Sequence, residues 1–367
     1  MTRILDLTSS TDPRDVIHRV VQALVEGELV VLPVGGSYAV SALAIHADAV
    51  ARLEQNAPAG TEGCLLLASS DAAADYLPLL SPSNERLLQR CWPGPVVFRF
   101  PVALPEGLGA ELPRAAQRQS APDDQLQLLV TASEPVLEVL RLLPAPLLAR
   151  IPANAAAVMS EGAAADGQGF ADLILEAGPV RKAGIPTVVR VSGEHWTIDR
   201  AGLVDSDAVR DAGCQTILFV CTGNTCRSPM AAAVFRKLLS ARLQCGEDEL
   251  PSRGYRVESA GLAASHGMPA SPEAVQLVER AGGHLARHES RPLSIRLLSQ
   301  ADYVFTMTNA HRSTILQHHP EFGTRVRTLA DDGSDISDPI GQGFDEYRRC
   351  LEQITAHVKR ALDRLFV

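Results

Sequence analysis

In the stretch "TILFVCTGNTCRSPMAAAVFRKLL", Thr216 to Leu239, a cysteine and an arginine stand either side of five residues, at the point where an apolar run gives way to a helical pattern. A loop that leaves a strand and opens a helix aims several backbone N–H groups at one place. The helix dipole adds positive potential there, and the result is an anion site. The same field favours the thiolate form of a cysteine at the start of the loop, here Cys221. Arg227, at the end of the loop, carries a guanidinium that can fork onto two phosphoryl oxygens, and Ser228 can donate a hydrogen bond to the sulfur. A Cys-x5-Arg spacing alone arises often by chance, and strand-end cysteines are usually small core residues. Here the strand, the "GN" turn, the Arg-Ser pair and the helix start all agree. Downstream, "DISDPIGQGFDEY" sets Asp338 beside Pro339 in a glycine-containing loop, a candidate general acid for a leaving group; most Asp-Pro pairs are only turns.

The elements around this loop alternate. The strand "TILFV" precedes it and the helix "PMAAAVFRKLLSARL" follows. Then come a strand "YRVESAG", a helix "SPEAVQLVERAG" ending on glycine, a strand "ADYVFTMT", a helix "AHRSTILQHH", a strand "RVRTLA" and a long C-terminal helix "DEYRRCLEQITAHVKRALDRLF". Strands separated by helices of this kind predict a parallel, helix-covered sheet, in which ligands sit at the carboxyl ends of the strands. The cysteine loop lies at such an end. The preceding part also reads as α/β. "DVIHRVVQALVEG" puts Val16, Val20 and Leu24 on one helix face with a glycine stop. "ELVVLPVGG" reads as a buried strand running into a glycine turn. The polar stretch "DSDAVRDAGCQ", Asp205 to Gln215, is a candidate linker whose composition also suits a short helix. The expected division is therefore 1–210 and 215–367.

A chain of 367 residues fits two domains. With 46% hydrophobic and 21% charged residues it is of ordinary globular composition, not disordered or fibrous. No apolar h-region opens it and no run of 18 apolar residues occurs, so neither secretion nor a membrane span is expected. Seven unevenly spaced cysteines argue for a reducing, cytoplasmic setting rather than a disulfide scaffold. No spacing predicts a metal site, and no cofactor is expected. The net charge of −9 is uneven: residues 1–212 hold 16 Lys+Arg against 26 Asp+Glu, the remainder 18 against 17. Neither part is the basic footprint of a general nucleic-acid binder.

"VCTGNTCRSP", with "DPIG" and Tyr347 after it and "ESAGL" and "RHESRPLS" between, resembles the low-molecular-weight protein tyrosine phosphatase family, in the family's order from Thr216 to the C-terminus. The resemblance implies that Cys221 is a nucleophile forming a cysteinyl-phosphate, that Arg227 binds the phosphoryl group and that Asp338 is the acid and then the base for water. It also implies that Thr222, Gly223, Asn224, Thr225, Cys226 and Ser228 line the phosphate site, that Asn224, Ser259 and His288 form the polar network holding the loop strained, and that Ser228 stabilises the thiolate. Cys226 matches a second loop cysteine able to form a reversible disulfide with the nucleophile; simple packing is the other reading. The implied partners are phosphorylated proteins.

Thr225 stands where tyrosine-directed members commonly carry a branched aliphatic residue, and "CTGNTCRSPM" reads as in the family's bacterial protein-arginine phosphatases. A threonine hydroxyl can accept from the N–H groups of a phosphorylated guanidine, which an aliphatic side chain cannot, and placed polar groups discriminate strongly. Phosphoarginine is thus the expected substrate and phosphotyrosine the alternative. Beside the acid, Ile340, Gly341, Gly343 and Phe344 replace the aromatics that often stack on a tyrosine ring, with Phe344 and Tyr347 as partial stand-ins.

In the first part, "VVQALVEGELVVLPVGGSYAVSALA", "LLQRCWPGPVVFRF", "PLLARIPANAAA" and "ADLILEAGPVRKAGIPTVVRV" resemble the YrdC-like fold of threonylcarbamoyl-AMP synthases, tRNA-modification enzymes that bind ATP and threonine. The resemblance implies a twisted α/β sheet. Its active residues mostly do not carry over. No lysine precedes Lys182, the Ser-x-Asn reads as Pro152 and Asn154, and an expected arginine is Val130. The expectation is a catalytically degenerate domain, with a vestigial nucleotide or RNA-related ligand left open and residual synthase activity as the lesser alternative.

Overall fold

The computed structural model describes residues 2–77, 80–101, 108–157, 171–178 and 182–366; of the stretches quoted above, Pro179 to Arg181 lie outside them. The chain divides into two units, Met1–Gly213 and Cys214–Val367. In the first, among the described residues, ten strands form one mixed sheet. They are β1 (Arg3–Asp6), β2 (Val30–Val34), β3 (Ser37–Leu43), β4 (Thr61–Leu66), β5 (Val96–Pro101), β6 (Gln125–Leu129), β7 (Leu147–Pro152), β8 (Leu173–Glu176), β9 (Thr187–Ser192) and β10 (His195–Arg200). Their order across the sheet is β1-β8-β2-β3-β7-β4-β6-β5-β9-β10. The helices are α1 (Pro13–Val25), α2 (Ala47–Gln55), α3 (Pro82–Cys91), α4 (Arg114–Ser120), α5 (Glu134–Leu142) and α6 (Ser206–Gly213). The helix α1 forms where the apolar spacing places it. Asp12 caps its N-terminus by accepting from Arg14 and Asp15 N–H, and Val16, Ile17, Val20, Ala23 and Leu24 are buried.

The candidate linker is not a free tether. Its residues fold as α6, whose Val209 is fully buried in the core of the first unit, so the chain passes from that helix almost directly into the next strand. Gly36, after β2, has φ 95°, and a Cβ there would lie 2.1 Å from Leu203 Cδ1, so the turn requires glycine.

The second unit holds a parallel sheet of β11 (Gln215–Cys221), β12 (Tyr255–Gly261), β13 (Tyr303–Thr306) and β14 (Val326–Thr328), in the order β12-β11-β13-β14. Its helices are α7 (Arg227–Leu243), α8 (Pro272–Arg280), α9 (Ile295–Gln300), α10 (Asn309–His318) and α11 (Phe344–Leu365). The central strand β11 is a continuous apolar run because both its faces are covered. Its Phe219 is fully buried between Phe235 and Phe305, each ring 5.6 Å away, and burying such a side chain stabilises by about 1.5–3 kcal/mol. On α11, Tyr347, Cys350, Leu351, Ile354, Val358, Ala361 and Leu362 recur at the three-and-four spacing and form one buried stripe. The sheet and helices agree with the α/β class expected for both parts of the chain.

Candidate active site

The strand β11 ends on Cys221 and α7 begins at Arg227, so residues 222–226 are a loop at the carboxyl end of a central parallel strand. The loop turns through Asn224, whose φ of 54° is left-handed, a conformation asparagine tolerates better than most residues. Every polar group of Asn224 has a partner. Its N–H donates to Cys221 Sγ at 3.3 Å, and its Nδ2 donates to Ser228 Oγ and Ser259 Oγ, both at 2.9 Å. Its Oδ1 accepts from Arg291 N–H at 2.9 Å, and its carbonyl accepts from His288 Nε2–H at 2.7 Å. Two strands, a helix and a loop thereby hold one strained residue, the condition under which such strain persists.

Cys221 is 3% exposed and its sulfur lies 3.1 Å from Ser228 Oγ. Arg227 is 5% exposed; it donates to the Ile336 carbonyl at 3.2 Å and forms an ion pair with Asp338, whose side chain stays 44% exposed. The nucleophile candidate, the clamp and the acid candidate thus meet at one place, although 111 residues separate Arg227 from Asp338. Thr225 is half-buried. Its carbonyl accepts from Ser271 N–H at 2.9 Å, and its hydroxyl lies 3.6 Å from Cys226 Sγ. Cys226 Sγ also contacts Ser271 Oγ and Tyr347 Oη, each at 3.1 Å. Burial and this bond to Cys226 push the Tyr347 phenol up to about 12, so it stays protonated. Cys221 and Cys226 are both free thiols.

The expectation that Tyr347 partly replaces a stacking aromatic is corrected. It is 3% exposed and its hydroxyl is committed to Cys226. Phe344 is also engaged, packed against the core with the Arg280 guanidinium 5.6 Å from its ring centroid. Ile340, two residues after the acid candidate, is 62% exposed.

His288 and His311 both have pKa values below the usual imidazole range, and in both burial is the largest cause. For His288 the Asn224 carbonyl opposes the shift, while Arg236 and Arg291 add to it. For His311 the Arg227 guanidinium adds to it. Reading the sequence missed several contributors. Gly261 lets the loop approach: a Cβ there would lie 2.5 Å from the Thr222 carbonyl oxygen and 2.8 Å from Asn224 N. Ser271 and Arg291 supply hydrogen bonds from segments far along the chain, and His311 Nε2 lies 2.9 Å from Thr222 Oγ1. Gly261 and Arg291 stand inside stretches already quoted, "ESAGL" and "RHESRPLS"; no pattern in the sequence marks His311.

In the first unit the residues singled out for a nucleotide site are otherwise employed. Val130 is buried, Asn154 Oδ1 accepts from Ala157 N–H, and Lys182 Nζ donates to the Leu203 carbonyl. Arginines are present on the sheet: Arg99 pairs with Glu62 and Asp199, and Arg200 with Glu62. Among the described residues no group of three or more His, Cys, Asp or Glu side chains could hold a metal, and no helix is long and apolar enough to cross a membrane.

Residues 216–366 match the family model described as low molecular weight phosphotyrosine protein phosphatase, and residues 22–202 match the Sua5/YciO/YrdC model, described as telomere recombination. A protein-arginine-phosphatase of Geobacillus stearothermophilus is 36% identical over 154 residues, covering 41% of this chain and 95% of that protein. A probable low molecular weight protein-tyrosine-phosphatase, EpsP, of Ralstonia nicotianae is 34% identical over 152 residues, covering 41% of this chain and 96% of that protein. The crystal structure of a YwlE mutant from Bacillus subtilis aligns with 32% identity and a TM-score of 0.37, covering 41% of this chain and 98% of that one. Fold and site define a cysteine-dependent protein phosphatase. Through its second unit the chain belongs to the low molecular weight phosphotyrosine protein phosphatase family, and that unit follows a YrdC-like part.

Proposed function

We propose that the chain removes phosphate from phosphoarginine in proteins, through a cysteinyl-phosphate on Cys221. Support for the mechanism is the meeting of Cys221, Ser228, Arg227 and Asp338 around one loop. The phosphoryl group displaces Asp338 from Arg227 and takes the guanidinium as its clamp, together with the loop N–H groups. The Cys221 thiolate attacks phosphorus as the P–N bond of the phosphoguanidine breaks, and Asp338, in its acid form, gives its proton to the leaving nitrogen. Water then attacks phosphorus, losing its proton to the Asp338 carboxylate; the S–P bond breaks, inorganic phosphate leaves and the thiolate is restored against Ser228 and the Asn224 N–H.

The observation that carries the choice of arginine is Thr225, half-buried on the loop, whose hydroxyl has, among the described residues, only a long contact to Cys226 Sγ. It can accept from a guanidine N–H. The burial of Tyr347 and its bond to Cys226 support the same reading, because they leave half-buried Phe344 as the one aromatic of that segment able to meet a phenyl ring. The test is hydrolysis of one protein phosphorylated on arginine and a peptide phosphorylated on tyrosine. A kcat/KM for phosphotyrosine equal to or above that for phosphoarginine would replace this reading with a tyrosine phosphatase of the same family. The YrdC-like part is proposed to make no threonylcarbamoyl-adenylate, since no lysine precedes Lys182 and Arg99 and Arg200 are paired with carboxylates.

A further inference from the structure

His311 has no role in the chemistry above, yet its imidazole sits at the edge of the site. Its backbone N–H is capped by Thr308 Oγ1 in the first turn of α10. That turn follows β13, which pairs in parallel with β11, so His311 is carried to the same sheet edge as the loop. The residue is 8% exposed. One ring nitrogen, Nε2, lies 2.9 Å from the hydroxyl of Thr222, the residue directly after the nucleophile; the other, Nδ1, is buried with no hydrogen-bond partner among the described residues. Buried polar atoms almost always find partners, so an orphan of this kind calls for a reason.

The ring's surroundings supply one. Arg227 lies close enough to disfavour a second cation, while Asp338 and Asp335 weakly favour it, and burial outweighs both. The ring is therefore neutral. With its single proton on Nε2 it donates to Thr222 Oγ1, and the orphan is then a bare lone pair, the less costly atom to leave unmatched than an N–H. Thr222 itself is exposed, and the bond to His311 is its side-chain hydrogen bond among the described residues. Its carbonyl is held separately, by Ala263 N–H at 2.9 Å. A hydroxyl pinned from behind by a neutral donor keeps its own proton for another acceptor.

We propose that His311 is a positioning residue of the phosphatase: by holding the Thr222 hydroxyl it keeps the first residue after Cys221, and that hydroxyl's proton, set for an oxygen of the transferred phosphoryl group. The proposal rests on the catalytic reading of Cys221 and Arg227.

The test uses the full chain with p-nitrophenyl phosphate as substrate and orthovanadate as inhibitor, on His311→Ala, His311→Gln, Thr222→Val and the His311→Ala/Thr222→Val double variant, each checked for a wild-type unfolding transition. His311→Ala and Thr222→Val should each lose about 10- to 100-fold in kcat/KM, the range expected when a reacting group is misplaced by an ångström or less. Both should weaken orthovanadate inhibition in parallel. Because both remove the same bond, the double variant should be no worse than the poorer single variant. His311→Gln, whose amide N–H reaches the same hydroxyl, should recover to within about threefold of wild type, a restoration that lost packing alone would not give. Single losses that multiply in the double variant, a Gln variant as poor as Ala, or an Ala variant within about twofold of wild type would each overturn the proposal. An inactive wild-type protein would instead overturn the phosphatase mechanism on which it rests.

Discussion

Asn224 spends both hydrogens of its amide on serines, its Oδ1 on Arg291 and its carbonyl on His288, all to keep a left-handed φ of 54° beside Cys221, the proposed nucleophile. Replacing Asn224 with Ala leaves Ser228 and Ser259 without that donor and lets the loop relax. We expect kcat to fall by about 100-fold, comparable to removing one preorganised donor from an oxyanion site, with unfolding measured alongside to separate the two effects. Cys221→Ser should lower hydrolysis of either phosphoresidue by about 10⁴-fold or more, leaving binding of inorganic phosphate as the check that the loop survives. Thr225→Ile replaces an accepting hydroxyl by a branched hydrocarbon. It should move the ratio of kcat/KM for phosphoarginine to that for phosphotyrosine at least about tenfold toward phosphotyrosine; an unchanged ratio would remove Thr225 from the argument about specificity. Cys221, Arg227 and Thr225 were legible as residue types at a fixed spacing because the loop is local. Of the partners of Asn224, Ser259 and His288 were legible only through resemblance, since they lie 35 and 64 residues away.

Between elements, the site depends on how closely β12 approaches the loop. Gly261 ends β12 alongside Cys221 in the parallel register, and it leaves no room for a Cβ against the Thr222 carbonyl and the Asn224 amide. Both obstacles are backbone, so neither can rotate away. Gly261→Ala should destabilise the second unit by about 1–3 kcal/mol, the usual cost of forcing atoms into a packed site, and should lower kcat/KM because what yields is the loop. A variant of wild-type stability and activity, by thermal unfolding and steady-state kinetics, would mean the strand end moves instead. The helices were readable in part: α1 buries the predicted face of Val16, Val20 and Leu24, and α11 forms within the stretch read as a long C-terminal helix. The stretch at Asp205 to Gln215 was ambiguous because a polar, charged segment suits a linker as well as a helix. Only the burial of Val209 against the rest of the first unit decides it, and no local signal carries that contact.

For the whole molecule, the neutral state of two histidines makes stability depend on pH. His288 and His311 bind a proton less readily when folded than the ordinary imidazole value of 6.5. Above that value neither state is protonated and the two residues contribute no pH dependence. As pH falls below 6.5 the unfolded chain takes up protons first, so stability declines until the folded-state pKa values are reached. The unfolding temperature should therefore drop between pH 7 and 5.5, and His288→Gln should flatten that slope; an unchanged slope would show that other groups dominate. Isothermal titration of the full chain with ATP tests the YrdC-like part, where little or no heat is expected, and binding together with turnover of threonine and bicarbonate would restore a synthase reading. What the sequence by itself determined was the set of local features: a strand-loop-helix with Cys221, Arg227 and Ser228 in register, the α/β alternation and the missing early lysine. Each depends on neighbours within a few residues. What only the tertiary structure decided was which distant groups close on that loop: the Arg227 ion pair to Asp338, the capture of Tyr347 by Cys226, the close approach at Gly261 and the hold of His311 on Thr222. These contacts are made where parallel strands end together and their following loops and helices converge, an adjacency fixed by packing across the sheet and carried by no local run of residues.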